Sequence, residues 1–395
     1  MKSLSECDLA GKKVFIRVDF NVPTDDQGHI TDDTRIKAHL PTINYVIERK
    51  GRAILASHLG RPKGKRADKY SLKPVARRLA ELLGKDVKFA DDCIGPVAEG
   101  AVASMKDGDV LLLENLRFHA EEEKNDKGFA EALGKLCDVY VDDAFAVAHR
   151  GHASNAGITQ FVKTCAVGLL LESELDYLKK ATENPVRPLV AIIGGAKVSD
   201  KIGVLEHLIE KVDKLLIGGG MAFTFLKALG NEVGKSLCEG DMLDVARGIM
   251  DKARQRNVRL YLPVDCVVAQ DAAADAVTKY VPVAEIPKEW MALDIGPATT
   301  TLFGEAVADA KTIVWNGPMG MFELDPFSRG TYGLVFFVAS SHALSIVGGG
   351  DTDTAVHKAG EAYRISYIST GGGAFLELLE GKTLPAVEAL EACGG

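Results

Sequence analysis

Positive side chains gather in the first half of the chain at three short motifs: Ser57-His58-Leu59-Gly60-Arg61, Glu114-Asn115-Leu116-Arg117-Phe118-His119 and His149-Arg150-Gly151-His152. Arg17-Val18-Asp19-Phe20-Asn21 adds a fourth strand end with a cation, and Arg35, read here as part of a polar loop, adds another. Six of the nine histidines (His29, His39, His58, His119, His149 and His152) lie in this half. Arginine presents a planar fork of donors that matches carboxylate and phosphate oxygens. Any one of these residues alone reads as solvated surface. Three strand ends of the form H-x-x-R, R-x-H and H-R together point to a crevice for a small anion bearing carboxylate and phosphate.

The second half repeats a different pattern five times: IIGGAK (192–197), LLIGGG (215–220), IVWNGPMG (313–320), SIVGGGD (345–351) and YISTGGGA (367–374). Glycine after a buried strand lets backbone N–H groups approach a phosphate, and a following helix N-terminus adds a favourable field. A dinucleotide fingerprint needs G-x-G-x-x-G, and no such spacing occurs. The nearest approach to a Walker loop, Gly230–Ser236, is one residue short and follows a helical pattern rather than a strand. Lys197 and Lys201, spaced i, i+4, are expected on one face at the start of a helix, where two ammonium groups suit a polyphosphate. Asp351, after a glycine triplet, is a natural Mg²⁺ ligand and equally a helix cap.

Other chemistries compete. Asp142-Asp143 with His149 and His152 has the residue types of a transition-metal site, as in a metal-dependent sugar-phosphate hydrolase, but the adjoining arginine is poor company for a cation. A nucleophile elbow, G-x-S-x-G, is absent. A non-catalytic nucleotide scaffold would retain the glycine loops without needing the arginines.

These residues need a frame. Short Val-, Ile- and Leu-rich runs (Val14–Val18, Ala53–Ala56, Val110–Leu113, Val139–Val141, Leu189–Ile193, Leu215–Ile217, Leu260–Val268, Ile313–Trp315, Ile346–Val347 and Tyr367–Ile368) alternate with helical periodicity, such as Val198, Ile202, Leu205, Ile209 and Val212. The pattern predicts an α/β chain with two doubly wound parallel sheets. The boundary is expected near 170–188, where Glu172–Lys180 reads as a charged, exposed helix ended by two prolines. The stretch 330–350 lacks Asp, Glu, Lys and Arg after Arg329, yet His342, serines and glycines interrupt it, so a buried helix and strand are expected rather than a membrane span.

Composition bounds the reading. The 395 residues suffice for two or three domains, and 47% hydrophobic with 26% charged excludes disordered and fibrous classes. The net charge of −8 argues against a general nucleic-acid or membrane-surface binder. Residues 1–172 carry 26 basic and 26 acidic side chains, residues 173–395 carry 21 and 29, so the cations concentrate in the first half. Seven widely spaced cysteines without C-x-x-C suggest neither a disulfide framework nor a structural zinc site. The acidic N-terminal stretch reads as lacking an export signal. A cytoplasmic location follows as an expectation.

Taken in order, RVDFNVP (17–23), TRIKAHLPTI (34–43), SHLGRPKG (57–64), ENLRFH (114–119), DDAFAVAHR (142–150), GGAKVSDKI (194–202), GGGMAFTFLKA (218–228), VGKSL (233–237), DIGP (294–297), WNGPMGMFE (315–323), GGGDT (348–352) and STGGGA (369–374) resemble the phosphoglycerate kinase family along nearly the whole chain. The resemblance implies two Rossmann-like domains joined by a hinge helix with a cleft between them, residues 1–172 plus about 377–395 binding 3-phosphoglycerate and 173–376 binding nucleotide. It implies reversible phosphoryl transfer from 1,3-bisphosphoglycerate to ADP, with Mg²⁺, ATP/ADP as co-substrate and a monomeric chain. By the same resemblance, Asp19, Phe20, Asn21, Arg35, His58, Leu59, Gly60, Arg61, Arg117 and Arg150 would take the glycerate. Lys197, Lys201, Gly219, Asn316, Glu323, Gly349, Gly350, Asp351, Thr352, Gly371 and Gly372 would take the nucleotide, with Asp351 on the metal. Arg35, Lys197, Gly372 and Gly373 would stabilise the transferring group without a covalent intermediate, on hinge closure. The segment 330–343 and Phe375 depart from the family pattern.

Overall fold

Uninterrupted apolar runs become buried parallel strands, and the glycines that follow them become turns. In the computed structural model, which describes residues 1–25 and 27–393, the strands are β1 (Lys13–Arg17), β2 (Arg52–Ala56), β3 (Val87–Ala90), β4 (Val110–Leu113), β5 (Val139–Asp142), β6 (Cys165–Val167), β7 (Leu189–Ile193), β8 (Lys214–Ile217), β9 (Arg259–Tyr261), β10 (Asp265–Ala269), β11 (Lys279–Pro282), β12 (Met291–Ile295), β13 (Thr312–Asn316), β14 (Leu344–Gly348) and β15 (Tyr367–Ile368). Two units are formed, Met1–Asp176 with the segment from Thr383, and Tyr177–Lys382.

In the first unit six parallel strands run in the order β3-β4-β2-β1-β5-β6. Val14, Ile16, Leu55, Leu112 and Val141 lie in its core, under helices such as Thr34–Glu48 and Lys73–Leu83. The second unit has its own six-stranded parallel sheet, β15-β14-β13-β7-β8-β9, with Val190, Ile192, Ile313, Trp315 and Val347 buried. Strands covered on both faces account for the near-continuous apolar runs.

Three sequence expectations change. Leu260–Val268 is not one strand: Pro263 interrupts it, and β9 and β10 belong to different sheets, β10 pairing antiparallel with β11 and β12. The helix Leu169–Thr182 exists but is not an exposed charged rod. Leu171, Leu175 and Leu178 recur at helical spacing and are buried, and Glu174 is 0% exposed. Third, Cys165 and Cys393 form a disulfide across 228 residues of sequence, which holds the last helix, Pro385–Cys393, against β6. Wide spacing of cysteines does not report such a pairing, because it arises only when the chain returns to the first unit.

The charge-free stretch resolves as expected into the helix Arg329–Ser340 and β14. Leu334, Val335, Val338 and Ala339 are buried in the unit's own core, although Phe336 is exposed. Among the described residues no helix is long and apolar enough to cross a membrane. Phe375 is fully buried against Gly348, where a Cβ would come within 2.5 Å of its ring.

Candidate active site

The C-terminal ends of β1, β2, β4 and β5 bring the cations of the first unit together. Arg17 is 1% exposed; its Nε donates to Ser154 Oγ at 2.8 Å, and its Nη1 donates to the Val18 carbonyl. Its Nη2 lies 3.3 Å from His58 Nδ1. Arg35 Nη1 donates to Asp19 Oδ2 at 2.5 Å, and His58 sits 3.8 Å from the other oxygen. Arg35 is the second residue of the helix Thr34–Glu48 and not part of a loop. The first helical turn thereby aims it at the end of β1. Asn21 Oδ1 accepts the Gly60 N–H at 2.8 Å, which fixes the turn after β2. Arg117 is 3% exposed, donates Nη1 to the Gly60 carbonyl at 2.9 Å, and leaves Nη2 without a hydrogen-bond partner among the described residues. Arg150 stands beside His149 (3.3 Å) and Arg61 is exposed after β2. Phe20 and Leu59 are core side chains, so only their backbones are available to a ligand.

The electrostatics report arginines crowded together, with carboxylates that engage only part of their donors. Burial lowers Arg117 to about 10, opposed by Glu123, whose carboxylate lies 3.3 Å from Nε, and reinforced by Arg17 and Arg150. Burial first, and then Arg17, Arg117 and Arg150, push His152 down to about 3. His58 is likewise held well below its ordinary range, mainly by burial, despite Asp19 beside it. Histidines kept neutral among arginines, with an unpartnered guanidinium nitrogen, describe a cradle for an anion.

Several supports were not visible in the sequence. Glu122, 0% exposed, accepts Ser154 Oγ at 2.6 Å and its N–H at 3.0 Å, so a buried carboxylate steadies Arg17 through serine. His39 accepts the Asp19 N–H at Nε2 (2.9 Å), which makes Nδ1 the donor to Asp143 (2.7 Å). The proposed metal group of Asp142, His149 and His152 does not assemble. Asp142 accepts the Ala144 N–H at 2.9 Å, and burial raises it to about 6. His119 is also not among the anion-facing residues, since its Nε2 meets Asp92 at 2.7 Å.

In the second unit all five glycine motifs sit at the C-terminal edge of one sheet. Three of them, after β7, β8 and β13, touch: a Cβ on Gly219 (φ +68°) would fall 2.6 Å from the Gly195 nitrogen, and one on Gly194 would fall 2.2 Å from the Pro318 carbonyl. Beside them opens a cavity of about 790 Å³ with an apolar wall that includes Phe223, Leu237 and Leu293 and with Glu323 and Asp351 at its polar side. That size and lining suit a planar heteroaromatic group with a polar appendage. Lys201 Nζ donates to Asn316 Oδ1, and Asn316 in turn donates to the Gly348 carbonyl at 2.7 Å. Thr352 Oγ accepts the Gly317 N–H at 2.7 Å. Gly349 (φ +98°) precedes the helix Gly350–Lys358, whose first turn holds Asp351. Gly371 caps the helix Gly372–Leu379, so the N–H groups of Gly372 and Gly373 fall in a first turn, where no intrahelical acceptor exists.

Lys197 and Lys201 do not share a helix. The helix begins at Ile202, and the carboxylate of Glu239 takes the Val198 and Ser199 N–H groups at 2.7 and 3.1 Å. Lys201 is the N-cap residue, with its pKa lowered mainly by burial, whereas Lys197 is exposed.

A family model described as Phosphoglycerate kinase matches residues 4–382. The chain is 62% identical over 387 residues to the phosphoglycerate kinase of Citrifermentans bemidjiense, covering 98% of this chain and 97% of the relative. It is 59% identical over 392 residues to that of Desulfotalea psychrophila, covering 99% and 100%. Among solved structures, it is similar to phosphoglycerate kinase from Coxiella burnetii (TM-score 0.91, 46% identity, covering 100% and 99%) and from Pyrococcus horikoshii OT3 (TM-score 0.84, 34% identity, covering 100% and 99%).

Proposed function

This chain belongs to the phosphoglycerate kinase family, and from that premise we propose how its two units divide the work. The reaction is the reversible transfer of a phosphoryl group from 1,3-bisphosphoglycerate to ADP, giving 3-phosphoglycerate and ATP. The first unit, with Asp19, Asn21, Arg35, His58, Arg61, Arg117 and Arg150, takes the glycerate; the backbones of Phe20, Leu59 and Gly60 complete that surface. The observation that carries this assignment is Arg117, buried near Arg17 and Arg150, with Glu123 at Nε and its Nη2 unpartnered among the described residues. The second unit takes ADP: the cavity accepts adenine, Glu323 the ribose, and Gly219, Gly349, Gly350, Gly371, Asn316, Thr352, Lys197 and Lys201 surround the phosphates.

Asp351 fits Mg²⁺. It offers a hard oxygen donor from a first helical turn, lines the cavity, is exposed, and its carboxylate accepts no hydrogen bond among the described residues. When bound there, Mg²⁺ would neutralise phosphate charge.

No side chain forms a bond to the transferring group. Arg35 moves its guanidinium from Asp19 to the phosphoryl oxygens, Lys197 supplies a second positive charge, and the free N–H groups of Gly372 and Gly373 receive the remaining oxygens. Catalysis is then orientation plus charge stabilisation, with water kept from an acyl phosphate. The functional unit is one chain and its compartment the cytoplasm. A coupled assay of ATP-dependent phosphorylation of 3-phosphoglycerate tests the whole reading. Turnover that requires Mg²⁺ and disappears in Arg117→Ala through a raised KM for 3-phosphoglycerate supports it. Absence of turnover with Mg²⁺ present overturns it.

A further inference from the structure

In the first unit, β3 and β4 are neighbouring parallel strands at one edge of the sheet, and their C-terminal ends release two turns side by side. The turn after β3 carries Asp92 and Cys93; the turn after β4 ends at His119. We propose that Asp92, Cys93 and His119 form a binding site for one zinc-type divalent cation. One potential ligand atom from each lies within 4.8 Å of the other two, and they are the one such group among the described residues.

The three donors are held before any ion arrives. Asp92 Oδ1 accepts the Cys93 N–H at 2.7 Å and lies 2.7 Å from His119 Nε2. The His119 ring rests against Phe129, with centroids 5.2 Å apart. Cys93 is fully buried beneath, while the side chains of His119 and Asp92 are 27% and 41% exposed. The arrangement offers three protein ligands, a buried sulfur and two partly exposed donors, the number that leaves the fourth position of a tetrahedral ion to water.

The donor set selects the metal class. Sulfur, imidazole nitrogen and one carboxylate oxygen match Zn²⁺, whereas Mg²⁺ and Ca²⁺ call for oxygen alone. Binding would replace the Cys93 S–H bond by a sulfur–metal bond and release that proton to solvent; neutral His119 would change tautomer, its proton passing by way of solvent from Nε2 to Nδ1, so that the Asp92–His119 hydrogen bond gives way to two metal–ligand bonds with one net proton released. Arg117 lies two residues before His119 on the same turn, so the ion would brace the segment that carries an anion-site arginine.

Titration of the full chain with Co²⁺ alone, in the absence of nucleotide and glycerate, tests the site. The expected result is one equivalent bound with a thiolate-to-cobalt charge-transfer band, displaced by Zn²⁺, and one proton released per ion. Cys93→Ala should abolish the band while the other free thiols remain. Asp92→Asn and His119→Asn, at the more exposed positions, should weaken binding by at least the 10–100-fold seen on losing a supporting outer residue. If Cys93→Ala does not fold, these two variants decide the question. A wild-type chain without the band at one equivalent overturns the proposal, as do folded variants that keep the band and the affinity.

Discussion

Asp19 holds Arg35 in an ion pair at 2.5 Å, and the same carboxylate faces His58 at 3.8 Å. Asp19 is 3% exposed whereas the Arg35 side chain is 40% exposed, so the pair consists of a fixed carboxylate and a guanidinium with freedom to leave it. A resting partner of that kind positions Arg35 without committing all five of its donors. Arg35→Ala is expected to lower kcat by about 10²–10³-fold, the range for one preorganised transition-state donor, with a much smaller change in KM for 3-phosphoglycerate. Steady-state kinetics in both substrates checks it. A raised KM with kcat intact would assign Arg35 to ground-state binding.

Gly219 has φ +68°, and a Cβ there meets the Gly195 nitrogen at 2.6 Å and the Pro318 carbonyl at 2.9 Å. Both obstacles are backbone, so neither can rotate aside. Gly219→Ala should therefore part the loops after β7 and β8 and raise KM for ADP by about tenfold or more, a cost of roughly 1.4 kcal/mol. The first unit has no part in that contact, so KM for 3-phosphoglycerate should stay within about twofold, well under the 1.4 kcal/mol that marks a tenfold change. Equal changes in both constants would show that the substitution acts through general misfolding.

Glycine beside an apolar run is a local signal, and for that reason the five loops after β7, β8, β13, β14 and β15 were legible before any fold was known. So were the arginine-bearing strand ends. What joins those ends was not. Ser154 supports Arg17 across 137 residues, and His39 meets Asp143 across 104. No spacing rule relates such partners, and two carboxylates close in sequence to two histidines suggested a metal group that does not form, with Asp142 turned instead to the Ala144 N–H. Lys197 and Lys201 misled for a related reason. Helical spacing was correct for Leu205 and Ile209, but the helix starts only at Ile202, and the segment before it is held by Glu239, a carboxylate about forty residues further along the chain. Cys93 and His119 became neighbours only because β3 and β4 are adjacent in the sheet.

Asp294 in β12 is 2% exposed and accepts N–H groups from Ile295 (2.9 Å) and Gly330 (2.7 Å) with no cation beside it, and burial raises it to about 8 from an ordinary 3.8. Between those two values the folded chain binds more protons at this carboxyl than the unfolded chain does. Stability from this group is thus complete below about pH 4 and is lost as pH rises toward 8. Asp294→Asn cannot ionise and sacrifices one acceptor to the Gly330 N–H, which costs about 1 kcal/mol. The variant should melt below the wild type at about pH 4, and the gap should close near about pH 5 and invert above it. Thermal melts across that range decide it; parallel curves would mean that the carboxyl is ionised throughout.

The Cys165–Cys393 bond ties the last helix to β6, and Ala386 and Leu390 bury that helix's apolar face while Ala386 N–H donates to the Ala148 carbonyl at 3.1 Å. Because the bond closes a loop of 228 residues, it restricts the unfolded chain strongly, and it is expected to contribute about 2–4 kcal/mol. Five cysteines are free, so thiol titration of the denatured, unreduced chain should find five groups, rising to seven after reduction. Dithiothreitol should lower the melting temperature of the wild type and leave Cys393→Ser unmoved. None of the anion-site residues contacts the disulfide, so the reduced enzyme should retain its KM for 3-phosphoglycerate at temperatures well below melting. If reduction alters that constant and leaves the melt unchanged, the bond acts on the site and not on the attachment of the helix.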